Sequence, residues 1–589
     1  ANPMAAVELP ERRSQRVSTD DEDTVGSSEE APILYPTEAP ILVRRAPLSR
    51  PMVIVYLFCL CGVAFLVSGL TMSVLLLVRM DASQASANDG PSGTNVIMDH
   101  VHCAESEPVP RMSRLPDEFW PAHLADALPL LPWPSHVSYD PGARQLSPDL
   151  RLTVPHDAPS LRAAALRWCA ELKSITSAFD EPLDRSSGSN GADATSATST
   201  GDAEPGSSQA PLRQVVVVVS ELRPSPAPLP DQDESYTVSL AADGDTLSVT
   251  AATAVGAMHG LETVMQLIDG QGRLRASQLT IKDSPAFAWR GLMLDTSRHY
   301  MPRATIARLL DSMAQTKLNV LHWHIVDGAS FPLVVDAVPA LAAAGAFPDG
   351  RVYSRADVQF VVDFAAERGI RVVPEIDVPG HVGSWAAGEP DIVVNCSRLA
   401  QRDSWQGVNR FALNPLNPRT FQVLDAVLEY VTSVFPDPFV HLGGDEVAVD
   451  GRSCWEDDPA IAAYMAEHSL QPSDLLSQVL ARASASVARR GRRPVVWADG
   501  LKDSARLPAT AVVQAWEGWG STARAQEEEW LAQGGEFISS AGWYLDYASS
   551  WRELMHKRAD VARWQDSNGR RDAAPPTHGS GEAGAGGGM

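Results

Sequence analysis

From residue 287 onward the apolar positions fall into short runs separated by amphipathic stretches. The runs are LMLD (292–295), LNVLHWHIVD (318–327), IRVVPEID (370–377), FVHLGGDE (439–446), PVVWAD (494–499), AVVQAW (511–516) and EFISSAGWYL (536–545). Between most of them lie segments such as ATIARLLDSMAQT (304–316), whose apolar residues recur at helical spacing. Apolar runs alternating with helices predict parallel strands and an α/β fold. No Gly-rich phosphate loop opens the series, which favours a (β/α)8 TIM barrel over 287–556 rather than an open doubly wound sheet. Each run ends in polar or aromatic residues on the side where barrel active sites assemble. An eighth strand is missing from the pattern. After Tyr547 come WRELMHKRADVARW and a Gly-rich tail, 572–589, that cannot pack a core. A barrel one strand short has an open edge, so either the chain is truncated or the strand count is wrong.

Ahead of the barrel the texture differs. QVVVVV (214–219) reads as a buried strand, and YTVSL and TLSVT alternate around an Ala-Asp-Gly-Asp turn. The helical AVGAMHGLETVMQLI (254–268) follows. Strands first and helix after predict a small α+β domain over 118–283, with a Ser/Gly/Ala/Asp-rich disordered insertion at 184–212. Residues 80–115 read as a polar stalk. Residues 52–78 carry no charge, and that run exceeds the ~20 residues needed to cross a bilayer as a helix. Arg44, Arg45 and Arg50 precede it and only Arg79 follows. The positive-inside rule then predicts a type II signal anchor, with residues 1–50 as a disordered cytoplasmic tail and the barrel lumenal or extracellular. The tail repeats EAPIL at 30–34 and 38–42, and Glu29 stands four residues before Ile33-Leu34. That spacing reads either as an acidic dileucine sorting signal or as unstructured tail.

Composition narrows the function classes. The 589 residues hold 73 acidic and 48 basic side chains, a net charge of −25, which disfavours a nucleic-acid partner. Hydrophobic residues at 44% exclude global disorder, and six cysteines are too few for a disulfide scaffold. Asn395-Cys396-Ser397 is a glycosylation sequon, in keeping with a lumenal body.

Candidate chemistry gathers at the strand ends. Asp445 and Glu446 follow two glycines, which permit a sharp turn and a close ligand. Neighbouring carboxylates oppose each other's ionisation, which suits a general acid beside an ionised partner. Trp497, Trp516 and Trp543 end three different strands and would surround one cavity, the kind of aromatic wall a sugar ring needs. His322 and His324 share a strand face, as in metal-dependent barrel hydrolases. The later strand ends carry Trp497 and Trp516, which cannot ligate, so no metal and no cofactor is expected.

Together, WRGLMLDTSRHYMP (289–302), KLNVLHWHIVD (317–327), PEIDVPGH (374–381), HLGGDEV (441–447) and GWYLD (542–546) resemble the family 20 glycoside hydrolases, the β-N-acetylhexosaminidases. The resemblance runs over about 118–556. It implies removal of terminal non-reducing β-linked GlcNAc or GalNAc from an oligosaccharide or glycoconjugate, with the substrate's own acetamide as nucleophile. By resemblance Glu446 is the general acid and base, Asp445 holds the acetamide N–H, and Tyr544 donates to the acetamide oxygen. Arg290 matches the arginine that grips sugar hydroxyls and Asp546 a hydroxyl-binding acid. Trp497 and Trp516 match pocket walls. His381 supports the acid, and Asp327 orients His381. Cys396 and Cys454 match a family disulfide, Cys103 and Cys169 could form a second, and dimers are usual in the family. Two departures stand out: Asp327-Gly328 replaces the usual Asp-Asp, and the eighth-strand segment with its Trp and Glu has no counterpart. The second implies weak or no activity, and leaves a catalytically inactive glycan binder as the alternative.

Overall fold

The computed structural model describes residues 41–43, 98–106, 128, 130–176, 210–222, 228–395, 411–449, 452–502, 506–516 and 521–540. The small domain contains β1 (Met98–His102), β2 (His136–Asp140), β3 (Arg144–Pro155), α1 (Pro159–Ile175), β4 (Leu212–Val219), β5 (Tyr236–Leu240), β6 (Thr246–Ala251), α2 (Ala254–Gln266) and β7 (Gln278–Asp283). Its strands run β1-β3-β4-β6-β5-β7-β2 in one sheet. Alternation decides which face is covered: Val215, Val217 and Val219 of β4 are buried, as are Tyr236, Val238 and Leu240 of β5. Helix α1 presents Leu161, Ala165, Trp168 and Leu172, recurring every three or four residues, to the same core.

The second body begins with β8 (Gly291–Asp295), α3 (Arg303–Gln315), β9 (Val320–Val326), α4 (Arg355–Ala366) and β10 (Arg371–Ile376). It continues with α5 (Pro418–Val434), β11 (Phe439–His441), α6 (Pro472–Arg489), β12 (Arg493–Trp497), β13 (Val512–Ala515), α7 (Ser521–Ala532) and β14 (Glu536–Ser539). The seven strands pair in chain order, all parallel. Helix starts are written in the sequence: Ser354 and Asp357 form a capping box on α4, and Asn417 caps α5 ahead of Pro418. Strands β9 and β10 are buried along their whole length, as strands covered on both faces must be.

The sheet curls, and its inner face is layered. Val320, Val373, Val495, Val512 and Ile538, one from each of five strands, form an apolar layer over Trp289 and Phe439. One turn of pleat nearer the C-terminal strand ends the inner positions become polar: His322, Glu375, His441, Trp497 and Gln514, all buried. His322 and His441 stack at 4.6 Å although β10 lies between their strands, so the inner face is concave. This layering is how barrel interiors are filled.

All seven expected strands are present, and no eighth parallel strand is found among the described residues. The edge of β14 is instead met by Ile41–Val43, antiparallel, with Ile41 opposite Ser539. The sequence places that segment in an unstructured tail; an unpaired row of strand amides is what recruits it. A second difference concerns the stalk. Residues 98–106 form β1 and the short turn after it, tied to α1 by a Cys103–Cys169 disulfide. The predicted insertion ends as β4 begins at Leu212, and its other residues up to 209 lie outside the described ones. Among the described residues no helix is long and apolar enough to cross a membrane, and the expected span 52–78 lies outside them. Trp543, Tyr544, Asp546, Cys396 and the Gly-rich tail also lie outside the described residues.

Candidate active site

The acidic pair sits where β11 has ended. Gly443 and Gly444 turn the chain with φ of 66° and 98°. At Gly443 only glycine fits, because a Cβ there would lie 1.8 Å from Asp377 Oδ1. Gly444 N–H donates to the same oxygen at 3.1 Å. The turn delivers Glu446 in the left-handed region, φ 51°, and His381 opposite it at φ 55°. Left-handed backbone is costly for such residues and persists only where surrounding packing enforces it.

His381 Nε2 lies 3.2 Å from Glu446 Oε2 and 3.5 Å from Asp445 Oδ2. Its Nδ1 lies 3.1 Å from Asp327 Oδ2. Burial opposes a charge on His381, but the Asp377 and Asp445 carboxylates and the bond to Asp327 outweigh it, and its pKa rises well above the usual value. Burial would raise Asp327, yet the bonds to His324 and His381 hold its carboxyl below the usual carboxylate range. Asp377 is raised well above that range by burial and then by the charge of Asp445, to which it is hydrogen-bonded. Asp445 is raised as well, by burial first.

Exposure separates the roles. The side chains of Asp327, Glu375 and Asp377 are at most 1% exposed, whereas Asp445 is 15% and Glu446 36% exposed. A ligand therefore meets Glu446 and Asp445 and none of the carboxylates behind them.

The expected residues do not all converge. Trp497 is buried at the end of β12, its Nε1 donating to Glu375 Oε1 at 2.8 Å. Trp516, half-buried beyond β13, donates to Asp499 at 2.7 Å. Arg290 is elsewhere. It precedes β8, at the opposite end of the strand, where it bonds Glu234 and the carbonyls of Phe287 and Lys317. The arginine at the site is Arg298, which contacts Asp327 Oδ2 at 2.6 Å and Asp295 Oδ2 at 2.7 Å. The strand direction carried that signal, since β8 starts after residue 290 and ends before 298. Sequence reasoning also gave no role to Glu375 and Asp377, although both stand in the PEIDVPGH motif. Cys454 is disulfide-bonded, its expected partner Cys396 lying outside the described residues. Asn395 closes a short strand, Val393–Asn395, that pairs with Phe411–Leu413.

His322, Glu375 and His441 have ligand atoms within 4.8 Å of one another and are the buried set best suited to a metal ion. However, His322 Nε2 stands 2.7 Å from Glu375 Oε2. Two ligands at ~2.0–2.1 Å on a tetrahedral ion would be about 3.3 Å apart. The observed separation is shorter than a shared ion would set.

Residues 287–582 match the family described as glycosyl hydrolase family 20, catalytic domain, and residues 130–267 match a beta-acetyl hexosaminidase like domain. The chain belongs to glycosyl hydrolase family 20. This family 20 chain is 38% identical over 331 residues to the beta-hexosaminidase subunit beta of Homo sapiens, covering 54% of its own length and 57% of the relative's. It is 33% identical over 349 residues to the beta-hexosaminidase subunit A1 of Dictyostelium discoideum, covering 59% and 62%. The chain thus spans about three fifths of the curated relatives it matches. Among solved structures it resembles the Flavobacterium johnsoniae chitobiase, at 26% identity and a TM-score of 0.56, over 72% of this chain and 60% of that one.

Proposed function

We propose that this chain hydrolyses terminal, non-reducing β-linked N-acetylhexosamine by substrate-assisted, retaining catalysis, and that its curled sheet is the greater part of a (β/α)8 barrel. One observation carries the reading: the two carboxylates open to a ligand beside His381 are sequence neighbours on one side of the site, while Asp295, also partly exposed, is paired with Arg298. A protein nucleophile and its acid must face each other across the bond at ~5–5.5 Å, which adjacent residues on one turn are poorly placed to do. The nucleophile then comes from the substrate. Glu446 gives its proton to the glycosidic oxygen as the bond from that oxygen to C1 breaks. The acetamide oxygen forms the new bond to C1, while Asp445 accepts the acetamide N–H and holds the group in line. Glu446, now a carboxylate, takes a proton from the water that attacks C1 and reopens the ring. Holding the acetamide in line is a proximity effect, worth up to ~7–11 kcal/mol in ideal intramolecular cases. Trp497 and Trp516 support the reading as aromatic walls. Tyr544 and Asp546 keep the roles the resemblance gives them, and Trp543 the place in the aromatic wall that its strand end gives it.

The test is turnover by the full chain of a chromogenic β-GlcNAc glycoside, a β-GalNAc glycoside and a β-glucoside without the acetamide. Hydrolysis of an N-acetylated substrate, lost in Glu446→Gln, is expected. Equal hydrolysis of the glucoside overturns the mechanism, and a folded chain with no turnover overturns the activity.

The uncharged run 52–78 supports a single-pass anchor with the barrel lumenal or extracellular. The Cys103–Cys169 bridge supports an oxidising compartment. The pairing of Ile41–Val43 with β14 and a type II crossing at 52–78 are mutually exclusive in one chain, since residue 43 and the barrel cannot share a side and be separated by a membrane. Protease protection of an N-terminal epitope in sealed microsomes decides between them.

A further inference from the structure

Below the reacting groups the polar layer of the barrel forms a series of close polar contacts. His381, which contacts Glu446, meets Asp327 Oδ2 at 3.1 Å, and the same oxygen lies 3.0 Å from His324 Nε2. His324 Nδ1 lies 2.8 Å from Glu375 Oε2, and Glu375 Oε1 accepts from Trp497 Nε1 at 2.8 Å. Every member from Asp327 inward is buried. Both ring nitrogens of His324 face carboxylate oxygens. Arg298 Nη1 also comes within 3.3 Å of His324 Nε2, but the two carboxylate oxygens are nearer, at 3.0 and 2.8 Å. A neutral imidazole has one N–H and would turn a lone pair onto one of those anions, so the ring holds both protons.

We infer that Glu375 and His324 are positioning residues that couple the proton donor to the aromatic wall, so that the placement of Trp497 and the orientation of the His381–Glu446 pair are set together. Glu375 fixes the indole with one oxygen and, through the other, keeps His324 an imidazolium. His324 in turn holds Asp327 as the anion on which His381 is oriented. Displacing Trp497 therefore disturbs the acid, and neutralising His324 disturbs the wall. This rests on Glu446 and Trp497 serving the reaction proposed above, beyond which it assigns two residues that touch neither substrate nor Glu446.

Two measurements on the full chain test it. The first needs no activity: ¹⁵N-histidine spectra at pH 7, with His324 assigned by comparison with His324→Gln. The expected result is a His324 ring protonated at both nitrogens, and a neutral ring overturns the proposal. The second is a double-mutant cycle on β-GlcNAc hydrolysis with His324→Gln and Trp497→Phe, each of which keeps much of the side-chain volume. His324→Gln is expected to lower kcat about ten-fold with KM within about two-fold. The double variant is expected to be at least about five-fold more active than the product of the two losses predicts. Independent, multiplying losses overturn the coupling, because a merely structural role would lower the active fraction without linking the two sites. If the wild-type chain hydrolyses no N-acetylated substrate, the functional reading fails while the protonation state of His324 still decides this one.

Discussion

Replacing Glu234 by Gln tests how the small domain is fastened to the barrel. Glu234 is 7% exposed, just before β5, and its carboxylate meets Arg290, His259 Nε2 at 2.8 Å and Asn319 Nδ2 at 2.8 Å. Arg290 and Asn319 flank the N-terminal ends of the first two barrel strands, so this one carboxylate spans both bodies. Burial by itself would raise its pKa. The bond from His259 and the charge of Arg290 outweigh burial and bring it from 4.5 to about 2. Burial pushes His259 down, so near neutrality it is a neutral donor and Arg290 carries the opposing charge. At about 1.4 kcal/mol per pH unit, the drop corresponds to about 3 kcal/mol of folding free energy. The folded-state value is the lower one. The contribution is therefore complete above about pH 4.5, where the unfolded chain ionises, and fades as the pH falls toward 2. Gln imitates the protonated acid, so Glu234→Gln should cost about 3 kcal/mol at pH 7 and under about 1 kcal/mol near pH 2.5. Urea unfolding of both proteins across that range measures the gap as a shift of midpoint at constant slope. A gap that does not narrow in acid would refute an electrostatic fastening, and a gap below about 1 kcal/mol at pH 7 would refute the burial argument itself.

Arg298→Lys should lower kcat/KM for a β-GlcNAc glycoside at least ten-fold with little change in melting temperature, because a lysine cannot bridge Asp327 and Asp295 with a planar fork; Arg290→Lys should do the reverse, and paired kinetics and melting curves read both. Gly443→Ala should abolish turnover, since the new Cβ would meet Asp377 at 1.8 Å on a backbone with φ of 66°; activity near wild type would mean that the turn relaxes freely. Cys103→Ser opens a covalent loop of 66 residues and should cost about 4 kcal/mol by loop entropy, read from the unfolding midpoint of the small domain.

The strands were legible because most are buried on both faces and so form largely apolar runs; β9 and β10 are buried from end to end, and β8 is the least covered. What misled was the meaning of polar residues inside those runs. His322, His324 and Glu375 occupy inner-face positions, but a single sequence does not show which strands will bring their partners. Their pairing depends on the curl that stacks His322 on His441 across an intervening strand. Arg290 was misplaced for a different reason. Two arginines flank one strand, and a match by residue type does not choose between them, whereas strand direction does: only the later one emerges at the C-terminal end. Strand β1 went unread because its alternation is short and polar, MDHVH, with Val101 its one fully buried position.

In the reaction proposed above adjacent acids create a difficulty, since Asp445 would accept an amide N–H as an anion while Glu446 arrives protonated. Crowding of like charges would put a proton on either member indiscriminately. Asp377 breaks the symmetry. It is buried behind Asp445, and its hydrogen bond draws the Asp445 carboxyl down against the burial that on balance raises it. Glu446, on the more exposed side, faces His381. The glycine turn makes this division possible, because only a residue without a side chain lets Asp377 come up against the backbone at 443 and take the N–H of 444. The GG of HLGGDE is thus part of what places Asp377 behind Asp445.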